Sequence, residues 1–424
     1  MRDGVFWFER KQPPLPALSG VVETDAVVVG GGMMGLMCAR TLRARGRRVC
    51  LVEGHTCGHG ASGRSSGFIT PDSELEYQDL VAQFGPEQAG ALWAFARSGV
   101  EAIRQAIVTD AIACDHQVQD ALFVASTEGA AKTVTGEHAA RSGGGWASTL
   151  HTRESLPKVL GSEAYFGGLR FGDTFGIDAY RCCAGLRHSL IEAGVQVFEQ
   201  SPVTRIRVDG IETTGGTVRA PQTLVCADRF LPVLGLARRE IYHAQTFLAI
   251  SEPLRAADVA RLFPAGPLMV WDTGLVYKYF RLTGERRLLM GGGTLASTYA
   301  RRAQHRPEKV VRRLGGYLAR RFPGVRVDFA ACWPGLIGIS KDFAAVVGRH
   351  PQFSSVRFAG GAAGLPWAAA LGVYLAESVL EERSELDALL SSEREFPIGA
   401  RWQAVLGAPV TFALAHGLLK FGPK

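Results

Sequence analysis

The sequence predicts an α/β fold: a mostly parallel sheet assembled from separated parts of the chain, joined to an α+β part with an antiparallel sheet. Three observations predict this fold. Residues 25–53 read as strand, glycine turn, helix and second strand. Residues 356–381 repeat the strand, glycine turn and helix near the other end of the chain. Residues 241–295 are rich in short, partly alternating strands.

The first of these segments is the most informative because each glycine of its turn has a separate physical task. Residues 26–29 form an apolar, mostly β-branched run that is typical of a buried parallel strand. Gly30 permits the tight turn, Gly32 lets a pyrophosphate approach the backbone, and Gly35 lets the helix pack closely on the strand. Free N–H groups at the start of that helix favour phosphate. The same glycine spacing at 58–63 has no strand before it, so only the first turn predicts a dinucleotide site.

An acidic residue ends the second strand of this unit. Glu53 lies 18 residues after Gly35, where a carboxylate can accept hydrogen bonds from both ribose hydroxyls of a dinucleotide. A carboxylate there repels a 2′-phosphate, so NADP is disfavoured. The segment therefore predicts a cofactor enzyme before anything is known of its substrate.

The remaining patterns suggest two interleaved domains with an arm at each end. A helix capped by Gly194 and a strand at 223–227 return to the first sheet, and residues 141–149 are predicted to form a surface loop. A helix opened by Pro366 follows the last strand. The predicted division is an N-terminal arm (1–20), a nucleotide-binding domain (21–85, 155–235 and 330–385), a substrate domain (86–154 and 236–329) and a C-terminal arm (386–424).

Composition and charge exclude several classes of protein. Of 424 residues, 47% are hydrophobic and 9% are aromatic, which is ordinary globular usage. The net charge of +7 comes from scattered arginines rather than one basic patch, so we expect no nucleic-acid partner. The 8 cysteines form no C-x-x-C pair, which predicts reduced core thiols, no metal site and a cytoplasmic location. No apolar run is long enough to predict a spanning helix.

Six sequence blocks occur in order along almost the whole chain. They are GGGMMG with Glu53, GHGASGRSSG (58–67), FLAISEPL (247–254), YFRL with GERRLLMGGG (279–293), WPGLIGISKD (333–342) and AGGAAG (359–364). Together they resemble the D-amino-acid oxidase superfamily of FAD-dependent oxidoreductases, and within it the branch like γ-glutamylputrescine oxidase, which is related to glycine and sarcosine oxidases. The order and separation of the blocks are more specific than any one of them.

The resemblance implies a Rossmann-like FAD-binding domain built from discontinuous segments, plus an antiparallel-sheet substrate domain. It also implies FAD in extended form, with adenine and ribose near Glu53 and the isoalloxazine beside residues 62–66 and 361–364. The positive end of the helix at Pro366 would favour negative charge on the reduced ring. The residues expected to bind FAD are Gly30, Gly32, Met33, Met34, Gly35, Glu53, Gly54, Ser62, Gly63, Arg64, Ser65, Ser66, Val203, Gly335, Gly361, Gly364, Leu365 and Pro366.

One departure from the family pattern concerns the substrate. Ile337 stands where amino-acid-oxidising relatives have an arginine that pairs with the substrate carboxylate. A buried carboxylate without such a cation is strongly disfavoured. This position therefore favours a substrate whose reacting carbon bears no carboxylate, unless Arg64 or Arg281 substitutes for the missing arginine.

Other departures concern the cofactor and its oxidant. Leu289 stands where sarcosine oxidase and its relatives place a lysine whose positive charge assists oxygen reduction. Lys278 and Lys341 remain the candidates to supply such a charge. The alternative for each of them is an ordinary surface lysine. Cys332 lies about three residues before the position of the flavin-attaching cysteine in these relatives, so we expect non-covalent FAD. Leu365 replaces the histidine of the branch's last glycine turn.

Four residues are candidates for contact with the substrate. Tyr277, Tyr279 and Arg281 alternate on one predicted strand face, and His243 could accept an ammonium proton, with packing as the alternative for the tyrosines. The predicted reaction is oxidation of a C–N bond in a primary or secondary amine to an imine, with hydride transfer to flavin N5 and reoxidation by O2 to H2O2. The alternatives are an amino-acid or sarcosine-type oxidase, a quinone-linked amine dehydrogenase, and a non-catalytic FAD-binding subunit.

The tail from residue 396 to 424 is fairly apolar but is interrupted by Gly407 and Pro409. It predicts a helical arm that packs on the body of the protein or on another subunit. A peripheral membrane contact is the alternative, and it would suit a dehydrogenase that delivers electrons to quinone.

Overall fold

The computed structural model describes residues 2–10, 12–72, 74–300, 302, 304, 306–361, 363–380 and 386–421. Its strands are β1 (Arg2–Asp3), β2 (Gly20–Glu23), β3 (Ala26–Val29), β4 (Val49–Val52), β5 (Phe68–Ile69), β6 (Gln117–Val118), β7 (Asp120–Val124), β8 (Thr149–His151), β9 (Gly168–Phe171), β10 (Phe175–Gly176), β11 (Gln196–Phe198), β12 (Val203–Arg207), β13 (Gly210–Thr213), β14 (Gly216–Arg219), β15 (Gln222–Val225), β16 (Ile241–Pro253), β17 (Leu268–Asp272), β18 (Tyr279–Leu282), β19 (Arg287–Gly292), β20 (Phe329–Ser340), β21 (Val346–Arg349) and β22 (Val356–Gly360). Its α-helices are α1 (Met33–Ala44), α2 (Tyr77–Phe84), α3 (Pro86–Thr109), α4 (Ala131–Gly143), α5 (Ala179–Glu192), α6 (Ala256–Leu262), α7 (Leu295–Thr298), α8 (Pro307–Arg321), α9 (Leu365–Glu377), α10 (Asp387–Leu390), α11 (Ala400–Leu406) and α12 (Ala408–Phe421).

The predicted parallel sheet is present. β11, β4, β3, β15, β22 and β21 lie side by side in that order, and the neighbouring pairs are parallel except β21 with β22. Every residue of β3 and β4 is buried, as their apolar runs predict. The glycine turn after β3 therefore lies at the carboxyl edge of the sheet, where open α/β sheets bind their ligands.

Close backbone contacts hold the helices against this sheet. A Cβ added at Gly35 would lie 1.8 Å from the carbonyl oxygen of Gly30, and one added at Gly372 would lie 2.2 Å from that of Met34. α1 can approach the turn after β3, and α9 can approach α1, because both positions are glycine. The two strand, turn and helix units from opposite ends of the chain therefore pack together.

The predicted antiparallel sheet is also present, and it extends beyond the segment that predicts it. Its strand order is β1, β20, β16, β19, β18, β17, β7, β9 and β8. Antiparallel pairing predominates, with β16 between β19 and β20, while β17 and β7 are parallel. Phe247, Phe280 and Leu288 of this sheet pack with Val310 and Leu314 of α8 in one buried cluster.

The predicted division of the chain into domains remains a proposal, and the packing differs from it in two places. β20 pairs with β16 in the antiparallel sheet, although the division assigns residues 330–385 to the nucleotide-binding domain. α3, assigned to the substrate domain, packs on α9, and a Cβ at Gly99 would lie 1.9 Å from the carbonyl oxygen of Pro366. The members of each pair, β16 with β20 and α3 with α9, are far apart in the sequence, so no local sequence pattern shows that they pack together.

The prediction of a surface loop at 141–149 is wrong at its start. α4 continues to Gly143, and the side chain of Arg141 is only 2% exposed. Its guanidinium pairs with Glu137 one turn earlier in the same helix and with Asp72. The ion pairs offset the desolvation that would otherwise keep an arginine at the surface.

α11 and α12 form the C-terminal arm that the tail predicts, apart from residues 422–424, which lie outside the described part of the chain. Its inner side buries Phe412 and His416 completely. The His416 Nε2 donates to the carbonyl of Ser340 at 2.7 Å, so its Nδ1 accepts the Tyr299 hydroxyl at 2.7 Å. A contact with a membrane or another subunit stays a prediction. The large apolar side chains exposed on the arm are Trp402, Val405, Leu406, Val410, Leu414 and Leu418.

Across the part of the chain that the structure describes, no helix has both the length and the apolar character needed to cross a membrane. The helix predicted after the second glycine turn starts at Leu365 as predicted, with Pro366 as its second residue. It ends at Glu377, so the predicted end at residue 381 is four residues too late.

Candidate active site

One cavity of about 1210 Å³ runs from the glycine turn after β3 to the wall formed by β17 and β18. Its size exceeds the range of about 300–1,000 Å³ that is usual for drug-sized ligands. Most residues expected to bind FAD line it: Gly30, Gly32, Met33, Met34, Glu53, Gly54, Ser62, Arg64, Ser65, Ser66, Val203, Gly335, Gly364 and Leu365. The others, which shape the turns and helix starts behind the lining, are Gly35, Gly63, Gly361 and Pro366.

The start of α1 is built to accept an anion. Gly32 precedes the helix in an extended conformation, and the first turn carries no acidic residue. Gly30 has a φ of +109°, and a Cβ there would lie 2.6 Å from the carbonyl oxygen of Cys226. Gly32, Met33 and Met34 line the cavity, and the N–H of Met33 donates to the Ser62 hydroxyl at 2.9 Å. The first N–H groups of a helix have no acceptor within it, and the helix dipole adds positive charge. The donors therefore suit a pyrophosphate.

Glu53 is held in place by backbone donors. Its carboxylate accepts the N–H groups of Gly31 at 2.7 Å and His55 at 2.8 Å. Burial raises the pKa of Glu53, and these two hydrogen bonds oppose the rise. An ionised carboxylate has about four acceptor positions, so two remain for ribose hydroxyls in the cavity. Its chemistry therefore fits the role that the sequence predicts.

The loop that contains residues 62–66 is clamped by two tryptophans. The Nε1 of Trp7 donates to the carbonyl of Ser65 at 3.2 Å, and the Nε1 of Trp333 donates to that of Arg64 at 3.1 Å. The two indole rings meet edge to face, with centroids 6.1 Å apart. The predicted N-terminal arm thus contains a short helical turn that supports the loop, a role that sequence reasoning missed.

Replacing either tryptophan by phenylalanine should weaken FAD binding while the fold persists. Trp7→Phe and Trp333→Phe keep an aromatic ring but remove the donor, which leaves a carbonyl of the loop unpaired and costs about 1–2 kcal/mol. We expect the dissociation constant for FAD to rise about 5- to 30-fold in an FAD titration of the apoprotein. Trp402→Phe, at a side chain that is 66% exposed, is the matched control. Unchanged affinity in both clamp variants would contradict the assignment.

Asp228 links the two sheets at the other end of the cavity, and sequence reasoning missed it too. Its Oδ2 accepts the N–H of Gly338 at 2.7 Å and its Oδ1 accepts the N–H of Gly361 at 3.2 Å. These bonds fix the turn before α9, where Gly364 has a φ of +105°. The available signal was an acid three residues after the end of the buried strand β15, at the edge where parallel strands bind ligands.

The four predicted substrate contacts divide into two pairs. Tyr277 and Tyr279 line the cavity, with ring centroids 5.5 Å apart. The prediction for Arg281 is wrong, because its buried guanidinium donates to carbonyls at 2.5 to 3.2 Å rather than facing the cavity. Burial lowers its pKa to about 10. The prediction for His243 is also wrong, because the ring lies outside the lining and its Nε2 donates to the carbonyl of Ala300 at 2.9 Å.

The lysine candidates for oxygen chemistry also lie outside the cavity lining. The Nζ of Lys278 donates to the carbonyl of Val276 at 2.8 Å, and that of Lys341 donates to the carbonyl of Ile398 at 3.0 Å. Lys341 is only 3% exposed, so the alternative of a surface lysine is wrong for it. Burial lowers the pKa of both. Ile337, in contrast, lines the cavity.

Comparison with known proteins identifies the family of this chain. The model of the DAO family, FAD dependent oxidoreductase, matches residues 25–378. Gamma-glutamylputrescine oxidoreductase of Escherichia coli is 28% identical over 354 residues, which cover 81% of this chain and 79% of that protein. Probable oxidoreductase OrdL of Haemophilus influenzae is 28% identical over 286 residues, covering 65% of this chain and 66% of that protein.

Solved structures show the same fold. The crystal structure of glycine oxidase from Geobacillus kaustophilus has a TM-score of 0.72 at 22% identity, covering 89% of this chain and 100% of that one. The family match extends from the first strand of the parallel sheet to just past the end of α9. Because that match covers most of the chain and includes both glycine turns, this protein belongs to the DAO family of FAD-dependent oxidoreductases, and its cofactor is FAD.

Proposed function

We propose that the protein oxidises a C–N bond in a primary or secondary amine to an imine, which water hydrolyses to a carbonyl product, and that O2 is the final electron acceptor and yields H2O2. One observation carries the proposal: a single cavity joins the residues that fit FAD to an apolar wall of Leu336, Ile337 and Ile339. A carboxylate on the reacting carbon would be disfavoured beside Ile337. The name of the E. coli relative, a putrescine derivative oxidoreductase, points in the same direction.

The protein's own residues would position the cofactor and the amine. FAD, when bound, supplies the acceptor for a hydride equivalent from the α-carbon of a neutral amine. The start of α1 would hold its phosphates, Glu53 its ribose, and residues 62–66 with Gly364 its ring. The positive end of α9 favours negative charge beside Gly364. FAD is non-covalent in this proposal, since the buried Cys332 lies outside the cavity lining.

The tyrosines and the apolar wall would prepare the amine for reaction. Tyr277 and Tyr279 line the cavity, and burial raises the pKa of both phenols, that of Tyr279 to about 12. Both phenols therefore stay neutral and orient the substrate without acting as bases. Exclusion of water by the apolar wall favours the neutral amine, which loses a hydride from carbon and a proton from nitrogen.

An anaerobic screen of amines on the FAD-loaded protein tests the proposal. We expect primary or secondary amines to bleach the visible flavin absorbance, and admission of O2 to restore it with formation of one H2O2 per flavin. Glycine and D-alanine are the controls, and they should bleach it far more slowly. If a chemical reductant bleaches the flavin but no amine does, the protein is a non-catalytic FAD-binding subunit and the proposal is wrong.

Two alternatives have their own signatures in the same experiment. An amino-acid or sarcosine-type oxidase needs a cation for the carboxylate, and Arg64 is the predicted substitute that does line the cavity. Rapid bleaching by glycine that is lost in Arg64→Gln would favour that activity. A quinone-linked dehydrogenase would be bleached by amines but would form little H2O2 under air.

A further inference from the structure

The cavity has an acidic wall that FAD binding does not explain. Asp72, Glu74 and Glu76 follow β5 and line the cavity. The Tyr277 hydroxyl donates to Oε1 of Glu74 at 3.1 Å, and the Trp271 Nε1 donates to Oε1 of Glu76 at 2.9 Å. Donors from β17 and from the loop before β18 therefore hold both glutamates beside the space that the substrate would occupy.

The charges on this wall are not balanced. Asp72, Glu76 and Glu137 each place one oxygen within 4.8 Å of the other two. Arg141 donates to Oδ1 of Asp72 at 2.6 Å and to Oε1 of Glu137 at 2.5 Å. Asp72, Glu76 and Glu137 share this one guanidinium, and Glu74 adds a further carboxyl group to the cavity lining. The wall therefore carries an excess of negative charge when its acids are ionised.

Two oxygens of the wall lack a hydrogen-bond donor within the described part of the chain. They are Oε2 of Glu76 and Oδ2 of Asp72, and both atoms are buried. The side chain of Asp72 is only 5% exposed. Buried carboxylate oxygens are normally paired because an unpaired one is costly. Burial, together with Asp72 and Glu137, raises the pKa of Glu76 well above its ordinary value. Without a cation, a proton on Glu76 that is shared with Asp72 can pair these oxygens, and a bound cation would replace that proton and supply the donors.

An organic ammonium suits this wall better than a divalent metal ion. Ca²⁺ and Mg²⁺ take about six or more oxygen ligands, whereas Asp72 and Glu137 each commit an oxygen to Arg141, whose charge also repels a metal. An ammonium has three donors and is attracted to aromatic faces such as those of Trp271 and Tyr277. Lys132 also lines the cavity, but its side chain is exposed, and among the described residues it pairs with none of these acids.

We propose that Asp72, Glu74 and Glu76 bind a second ammonium group of the substrate, so that the preferred substrate is a diamine or polyamine. One amine stays charged on the acidic wall while the other, in neutral form, is oxidised. This inference rests on the proposed function, because it names the substrate class of the same site. The acidic wall and Ile337 act in the same sense: the cavity accepts a distant positive charge and disfavours a carboxylate at the reacting carbon.

Two probes of equal length test the proposal on the FAD-loaded protein: butane-1,4-diamine and butane-1,4-diol, which has no ammonium group for the wall. The dissociation constants come from the shift in melting temperature, which needs no turnover, and for the diamine also from the concentration dependence of anaerobic bleaching. We expect the diamine to bind about 10- to 100-fold more tightly than the diol, as for hydrogen bonds to charged groups. In Glu76→Gln and Glu74→Gln this ratio should fall towards one, while Glu128→Gln, at an exposed site outside the cavity, should keep it.

The outcomes separate this inference from the proposed function. If the diamine raises the melting temperature and Glu76→Gln removes that effect, the cation site stands even when no amine bleaches the flavin. Equal binding of the two probes, or an unchanged ratio in both glutamine variants, overturns it. Stabilisation by Mg²⁺, Ca²⁺ or Zn²⁺ that is lost in Glu76→Gln, without any preference for the diamine, also overturns it and identifies a metal site instead. Full FAD content in each variant confirms that it has folded.

Discussion

Gly32→Val should produce a folded protein that cannot retain FAD. Gly32 has φ −79° and ψ −179°, a conformation that valine adopts easily. A Cβ there would meet only the Ser62 hydroxyl oxygen, at 3.1 Å, the end of a short side chain that needs to shift by only a few tenths of an ångström. The branched side chain would instead occupy the place of the pyrophosphate and shield the N–H groups of α1. We expect FAD affinity to fall at least about 100-fold, equivalent to losing about two charge-assisted hydrogen bonds.

The measurements are the flavin content of the purified protein and the rise in melting temperature on adding FAD. Gly129→Val is the matched control, because a Cβ at Gly129 meets nothing within 4 Å and the residue lies outside the cavity. That control should be yellow and should respond to FAD normally. A Gly32→Val protein with full flavin content would mean that the pyrophosphate does not lie over this turn.

The sequence predicts the nucleotide-binding half of the fold well because its signals are local. A buried apolar run, a turn whose glycines have separate steric tasks, and an acid at the end of the next strand all lie within residues 25–53. The structure places Gly32 and Glu53 on one cavity as this unit requires. Such units are recognisable without tertiary information because one strand, one turn and one helix start bind the ligand.

The substrate side is less predictable because its contacts join distant parts of the chain. Trp333 and Arg64 are 269 positions apart, and Trp271 and Glu76 are 195 apart. Alternation on a strand correctly placed Tyr279 on the cavity, but it could not show that Arg281 turns to carbonyls of other segments. Residues on one strand face share a direction, while their partners depend on what packs against that face.

The acids at 72–79 illustrate a second limit. Four acidic residues within eight positions normally indicate a solvated surface. Here the segment runs along a cavity wall because Trp367 donates its Nε1 to the carbonyl of Pro71 at 3.2 Å, and because the buried Arg141 lies behind it. A run of acidic residues reads the same in the sequence whether it forms a solvated surface or a cation site. Only the burial of the side chains in the structure distinguishes the two.

Arg141→Met should be among the most destabilising single changes in the protein. Methionine fills a similar volume, but it leaves the buried carboxylates of Glu137 and Asp72 without their cation. It also removes a guanidinium that stacks 3.9 Å from the ring centroid of Phe171. Removing one member of a buried ion pair costs about 3–5 kcal/mol. We expect that loss in the free energy of unfolding measured by urea titration at neutral pH.

The pH dependence of this deficit follows from the pKa values. Burial raises the pKa of Asp72 and Glu137, and Arg141 opposes that rise, so the variant should raise both pKa values further. If an acid has a higher pKa in the folded than in the unfolded state, its ionisation destabilises the folded protein as the pH rises above the unfolded pKa of about 4. The deficit should therefore be smallest near pH 4–5 and should grow towards neutral pH.

Two comparison variants distinguish this mechanism from simple loss of packing. Glu137→Gln combined with Arg141→Met removes one of the stranded charges, so it should recover part of the stability and flatten the pH dependence. Arg326→Met breaks an ion pair in which the arginine is 80% exposed, and it should cost less than about 1 kcal/mol. A deficit in Arg141→Met that is independent of pH, and that the double variant does not reduce, would show that the guanidinium acts by filling space. In that case the acids of the cavity wall would already be neutral without it, and Arg141 would not be the group that keeps Asp72 ionised beside the substrate.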